Sequence, residues 1–169
     1  MTKTYLVTDF QDDQHLLQKL SHDPLVEIWQ GVEDGQLRAY VQEVAEQSAH
    51  ATELKLIHSR EGASHLERGA YHYIVETDVS AASDEEFNAW YDTEHLPGLA
   101  RVPGTVSAKR YLRLSGAPRY IACYELLSPA VMESEAWLAI RHTAWSSRVR
   151  PMFFNTVRKL FKRHDVTIA

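Results

Sequence analysis

Between Tyr71 and Val79 the chain reads YHYIVETDV, a run of β-branched and aromatic residues that suits a strand. The period then changes. After AAS comes DEEF, and Ser83 with Glu86 three residues on has the form of a capping box, so a helix is expected to start there. Phe87, Trp90, Tyr91, Glu94 and His95 recur at helical spacing and fall on one side. Pro97 disfavours helical geometry at Leu96, which predicts that the helix ends or kinks just after His95. The short turn LARV then meets Pro103-Gly104, a strong turn signal.

Two further strands are predicted, TVSAKRYLRL (105–114) and RYIACYEL (119–126), joined through Ser-Gly-Ala-Pro as an antiparallel hairpin. The stretch SPAVMESEAWLAIRHTAWSSRVRPMF carries Val131, Trp137, Ile140 and Trp145 among charged residues, and reads as a helix in two pieces with Pro151 near its end. FNTVRKLF supplies a last strand. The order β-α-β-β-α-β is the ferredoxin-like arrangement of an α+β fold.

The first 65 residues are patterned less clearly. TYLVTDF reads as a strand and DDQHLLQKLS as a short helix, while PLVEIWQGV and LRAYVQEVAE read as two strands across a Glu-Asp-Gly turn. VTDF (7–10) echoes ETDV (76–79), and RAYV (38–41) echoes RYIA (119–122), a weak repeat signal. One reading is a partial, degenerate first copy of the same module; the other is an unrelated N-terminal extension covering a sheet edge. The polar stretch SREGASHLERG (59–69) makes the natural boundary, giving segments 1–66 and 67–169.

Composition narrows the function classes. The 169 residues carry a formal net charge of −5, which argues against a nucleic-acid-binding surface. A single cysteine, Cys123, excludes an internal disulfide and reads as a buried hydrophobe in a strand. No leader-like apolar segment opens the chain and nowhere do eighteen apolar residues run together, so a cytoplasmic protein without membrane contact is expected. The nine histidines are scattered without recognisable ligand spacing, so no metal is expected. Dinucleotide, Walker A, HExxH and GxSxG motifs are absent.

The candidate chemistry lies in NAWYDTEHLPGL (88–99). His95 falls in a last helical turn on the face of Tyr91. The helix dipole favours its imidazolium and an apolar pocket its neutral ring, which together predict a pKa near neutrality and an acid–base role. Tyr91 would orient it or donate to a substrate carbonyl, and Asp92 or Glu94 would hold its other nitrogen. The competing reading is a helix cap. Arg110 and Tyr111 point to opposite faces of their strand, so one of them can enter the pocket. Tyr124 shares a face with Tyr120, in a cavity wall or in aromatic packing. Trp145 and Arg148 either close the pocket or pack and solvate the second helix. Trp90 is a core anchor that can also line the pocket.

EEFNAWYDTEHLPGLARVPGTVSAKRYL, followed by APRYIACYELLSP and AWSSRVRPMF, resembles the EthD-like branch of the dimeric α/β-barrel superfamily over roughly residues 70–163. The resemblance implies two ferredoxin-like modules paired sheet against sheet, here as a homodimer, with a small-molecule pocket between each sheet and its helices. It implies that His95 faces that pocket. Activities on this fold vary widely, so it constrains architecture more than function. The favoured reading is a cofactor-independent enzyme performing acid–base chemistry (cyclisation, isomerisation or oxygenation) on an aromatic or polyketide-like substrate. His95 and Tyr91 would be catalytic, and Trp90, Arg110, Tyr124, Trp145 and Arg148 would shape the site. Alternatives are a carrier module for a hydrophobic metabolite, a structural dimerisation scaffold, or haem ligated through one histidine.

Overall fold

A computed structural model of the chain describes residues 4–11, 13–23, 25–42 and 51–164. The end of the expected strand LRAYVQEVAE, residues 43–46, lies outside them. The strands are β1 (Thr4–Phe10), β2 (Val26–Gly31), β3 (Leu37–Gln42), β4 (Thr52–Glu61), β5 (Tyr71–Asp78), β6 (Thr105–Arg113), β7 (Tyr120–Leu126) and β8 (Phe154–Arg163). They close into one antiparallel barrel in the order β1-β3-β2-β8-β5-β7-β6-β4, with β4 returning to pair with β1. The strands before residue 62 run β4-β1-β3-β2 around the ring and those after residue 70 run β8-β5-β7-β6. Each set therefore has its own fourth, first, third and second strands in that order, the ferredoxin-like sequence. The sets meet at β2–β8 and β4–β6.

The pattern behind β5–β8 predicted those strands closely. β4 was not predicted. Leu54 and Leu56 turn inward while Lys55 and the polar tail SRE turn out, so half of this ten-residue strand looks like linker. Inside the barrel Val7, Trp29, Tyr40, Leu54, Ile74, Tyr111, Ile121, Cys123 and Phe161 form one core. Tyr111 thus points inward and Arg110 outward, as strand alternation requires. Burial raises the Cys123 thiol to about 12, as befits a core hydrophobe. The inner space is polar where the two sets meet: Arg38 on β3 pairs with Asp9 on β1 and with Glu76 on β5, and Arg113 takes the other oxygen of Glu76 at 2.9 Å.

Helices pack on the outside. α1 (Gln14–Ser21) is capped by Asp13 and covers Phe10, Ile28, Leu37 and Ala39 of the first set. Over the second set lie α2 (Asp84–Trp90), α3 (Leu96–Ala100), α4 (Glu135–Arg141) and α5 (Ala144–Val149). α4 and α5 are the two expected pieces, each started by a true side-chain cap, Ser134 and Thr143. The cap expected at Ser83 is not made. Its side chain bonds Ser80 instead, inside a 3₁₀ turn, and the first turn of α2 is stabilised by the carboxylates of Asp84, Glu85 and Glu86. Among the described residues no helix is long and apolar enough to cross a membrane.

Candidate functional site

The helix expected to stop after His95 does not stop. Tyr91–His95 form one π turn, in which the Leu96 N–H reaches back five residues to the Tyr91 carbonyl, and the chain continues as α3 through Pro97 to Ala100. A π turn inserts an extra residue into the helix and lets a proline follow without leaving a broken four-residue ladder. It also sets which side chains meet. In an α-helix residues five apart face away from each other, whereas the wider turn brings Trp90 and His95 together. Their rings stack at 4.1 Å between centroids and 22° between planes. Tyr91, the neighbour expected from α-helical spacing, meets His95 edge-on at 5.3 Å.

Trp90 is itself fixed. It is buried and its Nε1–H donates to Ser146 Oγ on α5 at 3.2 Å, while Ser146 donates onward to the Ile140 carbonyl. The imidazole is therefore held in a rigid aromatic frame, nine-tenths buried, with Nδ1 in contact with no hydrogen-bond partner. The carboxylates expected to hold that nitrogen are engaged elsewhere. Asp92 accepts from Arg110 at 2.9 Å and pairs with His58 at 2.8 Å, and Glu94 accepts from the Thr143 hydroxyl at 2.6 Å. Nor is the ring poised near neutrality. Burial, and after it the charges of Arg150, Arg141 and Arg110, push its pKa down to about 3, so His95 is neutral over the physiological range.

His95 opens onto a narrow cleft between the outer face of β5–β7–β8 and the helices. Trp90, Tyr91, Tyr124, Trp137 and Phe153 supply aromatic walls, with Tyr124 set edge-on to Trp137 at 5.3 Å. The Tyr124 hydroxyl is buried and has no hydrogen-bond partner. Burial raises its pKa well above the ordinary phenol value and that of Tyr91 to about 12, Arg110 working against both, so both remain proton donors. Arg141, Arg150 and Arg158 complete the lining.

Of the residues expected here, His95, Tyr91, Trp90 and Tyr124 are brought together. Arg110 is fully buried behind Tyr91, its guanidinium carbon 4.2 Å from that ring, and is tied to Asp92 and Asn88, so it supports the wall without lining the cleft. Trp145 packs beside the outer core and Arg148 pairs with Glu86 at 2.6 Å on the surface; neither enters the cleft. Sequence reasoning missed the three cleft arginines, Trp137 and Phe153, which come from α4, the segment after α5, and β8. A second cavity, about 100 Å³, lies beside Tyr40, His72 and Lys109. Among the described residues no group of three or more histidine, cysteine or carboxylate side chains is placed to hold a metal ion.

No protein-family model matches this sequence, and no curated protein matches it. Several solved structures share its fold. A ferredoxin-fold protein from Listeria monocytogenes related to antibiotic biosynthesis monooxygenases aligns with TM-score 0.69 at 12% identity, covering 98% of this chain and 96% of that one. A haem-degrading enzyme from the same organism aligns with TM-score 0.67 at 13% identity, over 96% of this chain and all of that one. An anthrone oxidase-like protein aligns with TM-score 0.59 at 16% identity, over 97% and 92%. At such identities the likeness shows the fold, a mixed α/β ferredoxin-like barrel, and the chemistry has to be argued from the cleft.

Proposed function

We propose that the cleft beside His95 binds a small aromatic molecule and performs cofactor-independent acid–base chemistry on it. The observation that carries this reading is the neutral, nine-tenths buried imidazole whose Nδ1 lacks a partner. The ring is neutral but weakly basic at physiological pH, so it takes a proton only in step with an anion that develops beside it. The cations that lower its basicity also favour an enolate or phenolate developing beside it, so the proton and the negative charge it leaves behind are both provided for. Tyr91 and Tyr124, held protonated, are the donors available to a substrate oxygen. Arg110 is a positioning residue behind Tyr91.

The proteins of similar fold include an anthrone oxidase-like one, and anthrone, an enolisable aromatic ketone, is the probe for this chemistry. Anthrone turnover by the wild type, reduced at least a hundredfold in His95→Gln, is the expected result. Undiminished turnover in His95→Gln sinks the catalytic assignment, and binding without turnover in the wild type points to the carrier reading. The visible spectrum of the purified protein tests the haem alternative, for which a Soret band is the signature.

We further infer that residues 1–66 are a degenerate copy of the module in 67–169, within the EthD-like branch that the motifs resemble. What supports this is that VTDF and ETDV fall on the first strand of each set, and RAYV and RYIA on the third strand. The closed ring of strands also removes the reason for expecting a homodimer, an uncovered sheet face. Any pairing of two copies has to use another surface, and native mass spectrometry reads it directly.

A further inference from the structure

Three arginines converge on the cleft from three separate elements: Arg141 at the end of α4, Arg150 just after α5, and Arg158 on the outer face of β8. Among the described residues none of the three has a carboxylate partner. Arg38, Arg110, Arg113, Arg119, Arg148 and Arg163 each hold an acidic side chain, so three cations without one gathered in a single cleft stand out in a chain whose net charge is −5. Like charges gathered against aromatic walls repel one another more strongly than in water, because the local dielectric is low. Burial and the neighbouring Arg141 and Arg158 hold the Arg150 guanidinium below the usual arginine range. The cleft further contains two nine-tenths buried side chains with orphaned polar atoms, His95 Nδ1 and the Tyr124 hydroxyl. Buried polar atoms without partners cost stability unless a ligand supplies one, and the arginines beside them make an anion the matching ligand.

We propose that the cleft takes an aromatic carboxylate, with the carboxylate seated among Arg141, Arg150 and Arg158 and the ring system against Tyr124, Trp137 and Phe153. This deepens the preceding reading and rests on the cleft being the ligand site, though not on His95 acting as a base. The planar guanidinium fork matches a carboxylate in two parallel hydrogen bonds, which point charges such as lysine cannot reproduce. The Tyr124 O–H supplies a further donor. The aromatic lining gives a flat body faces and edges to pack on, and it leaves the rim, where Arg158 is exposed and Arg141 and Arg150 are half-buried, for the charged end.

The test is calorimetric titration of the full chain with 2-naphthoate and with its neutral isostere 2-naphthamide. Naphthoate is expected to bind at least tenfold more tightly than naphthamide. Arg150→Gln and Arg158→Gln should each weaken naphthoate about tenfold, the effect of losing one charge-assisted hydrogen bond, and leave naphthamide unchanged. Arg150→Lys, which keeps the charge but not the fork, should recover only part of the loss. Circular dichroism of each variant establishes that it folds. Equal affinity for the two probes, no binding of naphthoate, or full affinity in both glutamine variants overturns the proposal. His95→Gln separates it from the catalytic reading: naphthoate binding retained while anthrone turnover is undiminished sinks the acid–base assignment and leaves the carboxylate site standing.

Discussion

His95 shows how one side chain can be legible in position and wrong in character. Its place beside Tyr91 and ahead of a Pro-Gly break marks it in the sequence. Its charge state depends first on burial and then on Arg150 and Arg141, which lie more than forty residues away and reach it only through the fold. The same applies to the cleft arginines. None carries a motif in the sequence, and spacing along one helix pointed to Arg148, whereas Arg150, two residues further on, is the one that faces the cleft. The depressed basicity has a thermodynamic consequence. His72, buried in the barrel against Trp29 and lowered well below its ordinary value by burial and then by Arg38, behaves as His95 does. In both cases the unfolded chain takes up a proton near pH 6.5 and the folded chain does not, so the unfolded state binds more protons on the acid side and stability falls with pH there. Stability is fully present above about pH 6.5 and is lost progressively below it. Between pH 7.5 and pH 5 His95 should remove about 2 kcal/mol, measured as a fall in urea-unfolding free energy, and His72 adds to the drop in the same direction. In His95→Gln the drop should shrink by about 2 kcal/mol. An unchanged drop would mean that His95 is protonated in the folded protein.

At the scale of elements, runs of β-branched and aromatic residues bounded by turn signals predicted β5–β8, and apolar residues spaced among charges predicted α4 and α5. It failed where backbone geometry departs from the regular period. The π turn at Tyr91–His95 is such a place, since spacing rules assume 3.6 residues per turn and place His95 over Tyr91 rather than over Trp90. Pro97→Ala restores an N–H that can bond the carbonyl four residues back and draw the segment toward α geometry. The expected result is a His95 ring whose protons lose the upfield shift of the Trp90 face in the NMR spectrum. Unshifted resonances would assign the turn to packing around Trp90 rather than to the proline. Gly62 is the second such place. It sits in a stretch that reads as linker, yet its N–H donates to the Val106 carbonyl at 2.9 Å, and a Cβ there would fall 2.0 Å from the Thr105 carbonyl oxygen. Because the obstacle is backbone, it cannot rotate aside. Gly62→Ala should cost at least about 2 kcal/mol by denaturant unfolding, well above the gain of a few tenths that the same change brings at a permissive site.

Whether the molecule behaves as one body or two turns on Glu76. The sequence divides naturally near residue 66, and a polar, glycine-containing stretch there looks like a boundary between domains. The barrel does not respect that division. Its interior is shared, and Glu76, on the first strand of the second set, holds Arg38 of the first set through one oxygen and Arg113 of its own set through the other, at 2.7 and 2.9 Å with all three side chains largely buried. Such long-range polar pairing cannot be read from a chain in which Arg38 and Glu76 each sit in an ordinary alternating strand. Removing one member of a buried ion pair leaves the rest uncompensated, at a cost of roughly 3–5 kcal/mol. Glu76→Leu leaves Arg113 without its carboxylate and Arg38 with Asp9 alone, one on each side of the junction, so it should destabilise both sets of strands at once. The expected outcome is a single transition shifted to lower denaturant, coincident by far-ultraviolet circular dichroism and by hydrogen exchange at β1, β3, β5 and β7. If instead β1 and β3 lose protection while β5 and β7 keep it, the two sets are separate cooperative units, and the boundary near residue 66 divides the protein energetically as well as in sequence.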